Sequence, residues 1–145
     1  MQVREINNDD MDKLLRLYTQ LHDNPVPERT DDLLQLWNQI LSDANHHIIV
    51  AEEEGKIVSS CVCVIIPNLT RNQRPYALIE NVITDELYRK KGFATACLEY
   101  AKSIAQKEGC YKIMLMTGSK KEETLKFYEK AGYNQNDKTA FIQWL

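Results

Sequence analysis

The chain has 145 residues, 43% hydrophobic and 27% charged, which suits one soluble globular domain with a single core. A net charge of −3 and an isoelectric point near 5.6 argue against a nucleic-acid binder. No apolar run is long enough to cross a bilayer and no signal-peptide pattern follows Met1, so a cytoplasmic protein without membrane contact is expected. Gln2 to Ile6 alternates and reads as a strand. Asn8 or Asp9 is expected to cap a helix with the apolar stripe Met11, Leu14, Leu15, Tyr18 and Leu21. "DNPVPE" interrupts it, because proline cannot sit in a helix interior. Thr30 then caps a second helix with Leu33, Leu34, Trp37, Ile40 and Leu41 on one face. The polar connection between these helices reads as a substrate-side lid.

His47 to Ala51 and Ile57 to Ile66 read as a hairpin turning at Glu54-Gly55-Lys56, and the acidic run Glu52 to Glu54 reads as solvated surface. Pro67 to Pro75 is a polar loop. Tyr76 to Thr84 is the next strand, and Ala94 to Lys107 a helix ended by Gly109. Tyr111 to Thr117 is apolar enough to predict a central strand. Ser119 to Glu122 has capping-box spacing and opens a helix with Leu125, Tyr128 and Ala131 inward, ended by Gly132. Thr139 to Leu145, "TAFIQWL", predicts a last strand. Strands alternating with helices argue a mixed sheet covered on both faces, within one domain spanning residues 1–145.

The most informative stretch joins the Tyr76–Thr84 strand to the helix after it. Arg89-Lys90-Lys91-Gly92-Phe93-Ala94 is a basic, glycine-bearing loop that opens directly into a helix. The first N–H groups of a helix lack internal partners and the dipole favours negative charge there, so strand, loop and helix start together suit a phosphate. There is no G-x-x-x-x-G-K-[ST] and no G-x-G-x-x-G, which sets aside P-loop nucleotidases and dinucleotide turns. Glu80 is a carboxylate inside an apolar strand, where desolvation would raise its pKa toward that of a working base. Cys61, Cys63, Cys97 and Cys110 form no C-x-x-C pair and read as buried reduced thiols rather than a metal or disulfide set. No histidine spacing suggests a metal or a nucleophilic triad.

R-x-x-G-x-A at Arg89–Ala94, followed at the expected distance by "TLKFYEKAGY" at Thr124–Tyr133, resembles the GNAT superfamily of N-acetyltransferases. The resemblance covers nearly the whole chain and is strongest from Tyr76 to Tyr133. It implies an α/β fold with a mixed, mostly antiparallel sheet, splayed between the strands ending at Thr84 and Thr117, and helices on both faces. It implies acetyl-CoA as co-substrate and no metal. Arg89, Lys90, Lys91, Gly92, Phe93 and Ala94 would then surround the pyrophosphate, with Thr95 just inside the helix. Val82, Ile83 and Thr84 would carry the pantetheine arm, with a backbone N–H near Val82 facing the acetyl carbonyl.

By the same resemblance Tyr128 is the acid that protonates the departing thiolate. Glu80 would take or hold the amine proton, and Asn81, Tyr18 and His22 are candidate substrate contacts. Ala94 stands where the family more often has glycine. "IEN", "CYKI" and "FYEKAGY" look most like the glucosamine-6-phosphate N-acetyltransferase branch, in which aspartate is common where Asn81 stands. The implied acceptor is a small primary amine such as an amino sugar phosphate. A protein or peptide N-acetyltransferase and a non-catalytic acyl-CoA sensor are the alternatives. A homodimer is left open, since the terminal strand could exchange or pair across an interface.

Overall fold

The computed structural model describes residues 1–145. Five strands, β1 (Gln2–Glu5), β2 (His46–Glu53), β3 (Lys56–Ile66), β4 (Tyr76–Thr84) and β5 (Ile113–Leu115), lie side by side in chain order. The first three pairings are antiparallel and β4–β5 is parallel. The helices are α1 (Met11–Tyr18), α2 (Asp31–Ser42), α3 (Phe93–Lys107) and α4 (Glu122–Lys130). None is long and apolar enough to cross a membrane.

Strand alternation sorts the interior into two layers. Ile48, Val50, Ile57, Val62 and Ile83 pack with Met11, Leu14 and Leu17 of α1 and Trp37 of α2. Ile49, Ala51, Cys61, Cys63 and Ile79 face the other way, onto Phe93, Cys97, Leu98 and Ala101 of α3, with Phe127 and Tyr128 of α4 alongside. The β2–β3 hairpin closes on Glu54 and Gly55, both at positive φ (50° and 76°). That is the backbone of a two-residue turn whose twist matches the strands, and glycine adopts it without penalty.

Several expectations need correction. The first cap is Asn7, neither Asn8 nor Asp9. Its side chain accepts from the Asp9 amide, while Asp10 accepts from the Asn7 amide, closing a capping box on a 3-10 turn that leads into α1. Asp10 is thereby carried inside, only 2% exposed. Arg4 of β1 meets it with two hydrogen bonds of 2.6 and 3.0 Å and reaches Glu52 at 2.7 Å. The Glu52–Glu54 run is therefore not simply solvated: Glu52 holds Arg4, and Glu53 pairs with the chain's amino terminus. Ser119 is not the cap of α4. The helix begins later, after Lys121, and the Ser119 hydroxyl instead bonds Thr124 and accepts from the Lys121 amide.

The largest differences fall at the C-terminus. β5 is three residues long and lies at the sheet edge, not centrally across Tyr111–Thr117. Thr139–Leu145 forms no strand. The two misses share one cause. Without a last strand on its outer side, β5 is paired by β4 alone, and β4 pairs it over three residues only before the two diverge.

Candidate functional site

β4 changes character halfway along. Val62 pairs with Glu80 and Ser60 with Ile83, so Asn81 and Val82 stand opposite Cys61 alone. This is a β-bulge, and Asn81 absorbs it at φ 50°. Asparagine is among the few non-glycine residues that adopt this conformation readily. The bulge resets the pleat. Ile79 and Val82 face the α3 layer, while Ile83 faces the α1–α2 layer. Glu80 and Asn81 are both exposed. Glu80 is thus not desolvated in a buried strand, which removes the burial on which its expected pKa rise rested. The bulge is the feature that sequence reasoning missed. Its signal was the polar pair Glu80-Asn81 inside an apolar run.

The same strand loses its neighbour here. β4 and β5 pair only at Ala77–Ile113, Leu78–Met114 and Ile79–Leu115. From Glu80 to Thr84 the β5-facing edge of β4 has no partner strand, which is the splay. On the other side the end of β4 is held firmly. The buried Ser59 hydroxyl donates to the Ile83 carbonyl at 2.9 Å and lies 2.8 Å from the Thr84 hydroxyl.

Beyond Thr84 a short 3-10 turn leads into the basic loop. Arg89 donates from Nε to the Thr84 carbonyl at 3.3 Å, tying the loop to the strand. Lys91 donates to the Leu87 carbonyl and lies over the Tyr88 ring at 5.0 Å. Lys90 pairs with Glu123 of α4 at 3.1 Å. Gly92 is the N-cap of α3 at φ 87°, a backbone that side-chain-bearing residues rarely adopt, and no side chain caps the helix. The first helical bond runs from the Ala96 amide to the Gly92 carbonyl at 3.0 Å, so the amides of Phe93, Ala94 and Thr95 precede it. The Phe93 ring is buried and packs edge-on to Tyr88, so only its backbone is available to a ligand. Ala94 is half-buried and Thr95 exposed.

Two tyrosines pack in opposite layers of the molecule, Tyr128 with the α3 side and Tyr18 with the α1–α2 side. Tyr128 of α4 sits edge-on to Phe127 and Tyr133, at 5.0 and 6.3 Å. Burial raises its pKa, with Cys61, the residue facing the bulge, as the next cause. Tyr18, at the end of α1, has its pKa pushed up to about 12 by burial, with Ser60 and Asn81 as polar neighbours. Its hydroxyl is buried without a hydrogen-bond partner, while the neighbouring Ser60 hydroxyl donates to the Ile49 carbonyl. Gln20 fixes this end of α1 to the site, bonding the Asp85 carboxylate and the Glu86 amide. His22 lies beyond it in a turn, exposed and at φ 56°, without a side-chain hydrogen bond. Cys61, Cys63 and Cys97 are buried, which holds their thiols protonated, the last two at about 12 and 11.

A cavity of about 680 Å³ lies beside β5, lined among others by Met114, Leu125, Tyr128 and Phe141. It touches Tyr128 but neither Glu80 nor the basic loop.

The fold agrees with that of known proteins. The sequence pattern described as "Acetyltransferase (GNAT) family" matches residues 10–133. A glucosamine 6-phosphate N-acetyltransferase of Trypanosoma brucei brucei is 36% identical over 84 residues, 58% of this chain and 55% of that protein. The chain spans little more than half the length of the curated relatives it matches. Among solved structures, a proposed acetyltransferase of Agrobacterium tumefaciens superposes with a TM-score of 0.91 at 35% identity, covering 99% of this chain and 100% of that one. The glucosamine-6-phosphate N-acetyltransferase of Arabidopsis thaliana gives 0.86 at 28% identity, covering 99% and 97%. With its expected mixed sheet, open on one side of β4, this chain belongs to the GNAT family of acetyltransferases.

Proposed function

We propose that the chain moves an acetyl group from acetyl-CoA directly to the primary amine of a small molecule, with an amino sugar phosphate as the first acceptor to test. One observation carries the reading: the unpartnered edge of β4 from Glu80 to Thr84 leads into the uncapped start of α3 through Arg89-Lys90-Lys91-Gly92. An extended amide-bearing arm suits the first part, and a pyrophosphate suits the second. The amino sugar phosphate rests on the named activities of the trypanosomal and Arabidopsis relatives.

Each residue then has a defined task. The acetyl carbon exchanges its bond to sulfur for a bond to nitrogen. Glu80, exposed at the splay, takes or holds the proton that the amine loses. A backbone N–H near Val82 faces the carbonyl oxygen as it gains charge. Tyr128, a phenol already protonated at neutral pH and whose pKa burial raises further, gives its proton to the departing sulfur. Asn81 and Tyr18 border the acceptor, and His22 stands further out. The buried thiols offer no nucleophile, which favours direct transfer over an acyl-enzyme.

An amine panel with acetyl-CoA, read as free thiol released, tests the reaction; turnover of amino sugar phosphates above simple amines is expected. Calorimetry tests the site. Gly92→Ala carries the backbone strain alone, and Gly92→Glu adds a negative charge against the phosphates. Acetyl-CoA affinity should collapse in Gly92→Glu well beyond Gly92→Ala. Equal affinities would remove the loop from the binding site.

A further inference from the structure

Tyr76, Leu78 and Glu80 leave β4 on one face, because Ala77 and Ile79 between them are buried against the α3 layer. On that face Val64 of β3 and Met114 of β5 stand on either side of Leu78. All three are half-buried, so the face stays partly open from Glu80 back to Tyr76. The two ends of this strip carry opposite charge. Glu80 is exposed at one end. At the other, Lys112 lies 5.0 Å from the Tyr76 ring and 5.3 Å from the Tyr111 ring, and Arg71 lies 5.5 Å from Tyr111. The two rings stand edge-on, 6.1 Å apart.

Neither cation has a carboxylate partner, although Lys112 is half-buried. Two like charges held at one tyrosine repel each other, and the ring faces offset only part of that. The loop that brings Arg71 there is strained. Arg71, Asn72 and Gln73 all lie at positive φ, 54°, 57° and 58°. Such a run persists only where its surroundings hold it. Asn68 donates to the Thr70 and Arg74 carbonyls at 3.1 and 3.3 Å. Arg74 donates to the Gly109 and Cys110 carbonyls, both at 3.0 Å, and so fastens the loop beside Tyr111.

We propose that the acceptor lies along this strip, with its amine at Glu80 and an anionic group at its far end held by Lys112 and Arg71. Four residues of strand separate the two ends, about 13 Å. A hydrogen bond of about 3 Å at each end leaves about 7 Å between the amine nitrogen and an anionic oxygen. One sugar ring bearing a phosphate has that reach, and so does a dipeptide. Leu78 and its half-buried neighbours floor the part between. The charges match such a zwitterion in one direction only, which turns its amine toward the splay. The place of the amine rests on the reaction proposed above, whereas the cation pair is a feature of the fold alone.

Two matched pairs of amines, acetylated by the full chain with acetyl-CoA, separate phosphate from carboxylate: glucosamine 6-phosphate against glucosamine, and glycylglycine against glycylglycinamide. The anionic member of at least one pair should be preferred in kcat/KM. Lys112→Gln combined with Arg71→Gln should cut that preference at least about tenfold, and Lys112→Arg should keep it. Calorimetry with the same anionic amines needs no turnover, and the double variant should bind them more weakly. Preference and affinity unchanged in the double variant would overturn the anion site and leave acetyl transfer standing. Equal handling of charged and uncharged members by the native chain would overturn it too. Affinity lost in the double variant, without turnover of any amine, would support the anion site and sink the reaction instead.

Discussion

At the β1 edge a four-residue strand is closed by charge, whereas at the β5 edge a three-residue strand is bordered by apolar side chains and a cavity. Arg4 of β1 carries three hydrogen bonds to Asp10 and Glu52, which tie the edge to the start of α1 and to β2. Short length and inward-held charge are how sheets normally discourage pairing with other chains. β5 has the first property and lacks the second. The difference separates an edge that ends the sheet from one kept available, and it coincides with the division between the supporting side of the molecule and the side that bears the site.

The comparison can be tested from both edges. On the open side Tyr128→Phe keeps the ring and removes the proton donor. We expect kcat to fall by about 10²–10⁴ with acetyl-CoA affinity and the unfolding midpoint unchanged. Full activity would make Tyr128 a packing residue only. On the closed side Asp10→Ala strands the Arg4 guanidinium beside Glu52 alone and should lower stability by about 3 kcal/mol in urea unfolding. Activity per folded molecule should be retained.

The same carboxylate sets an acid limit. Arg4, first by hydrogen bonding, holds the Asp10 pKa below its ordinary value. Its contribution is therefore present above the unfolded value of about 3.9 and is lost as pH falls through the depressed native one. Urea midpoints measured downward from pH 5 should decline, and the decline should be shallower in Asp10→Asn. The smallest effect belongs to Lys90→Ala. Its pair with Glu123 is 83% and 76% exposed, so stability should change by at most about 0.5 kcal/mol. Acetyl-CoA binding should weaken modestly, and more at low salt.

What was legible in the sequence was whatever is written locally. Thr30 capped α2 as its spacing indicated, Glu54-Gly55 turned the hairpin, and the R-x-x-G-x-A loop opened α3. The bulge was hidden because periodicity within one strand cannot show that the partner strand is a residue short. Asp10 was hidden because its burial is set by Arg4 and Glu52, one on each neighbouring strand. β5 and the C-terminal segment read as strands from composition, yet strand pairing is a property of two segments, and only one of the two can be read at a time. The exposure of Glu80 follows from the splay, a feature of what is missing beside β4 rather than of the residue itself.

The bulge at Asn81 has a mechanical consequence. Val82 and Ile83 are adjacent in the chain but root in different layers, one against α3 and the other against α1 and α2. The short piece of backbone offered to a ligand is therefore a beam clamped from above and below. A displacement there is transmitted to both helical layers at once, and slack introduced in either, even at Leu14 or Ala101, is felt as play in the beam. Substitutions deep in either layer, remote from any ligand, should register first as altered hydrogen exchange at the amides of Val82 and Ile83.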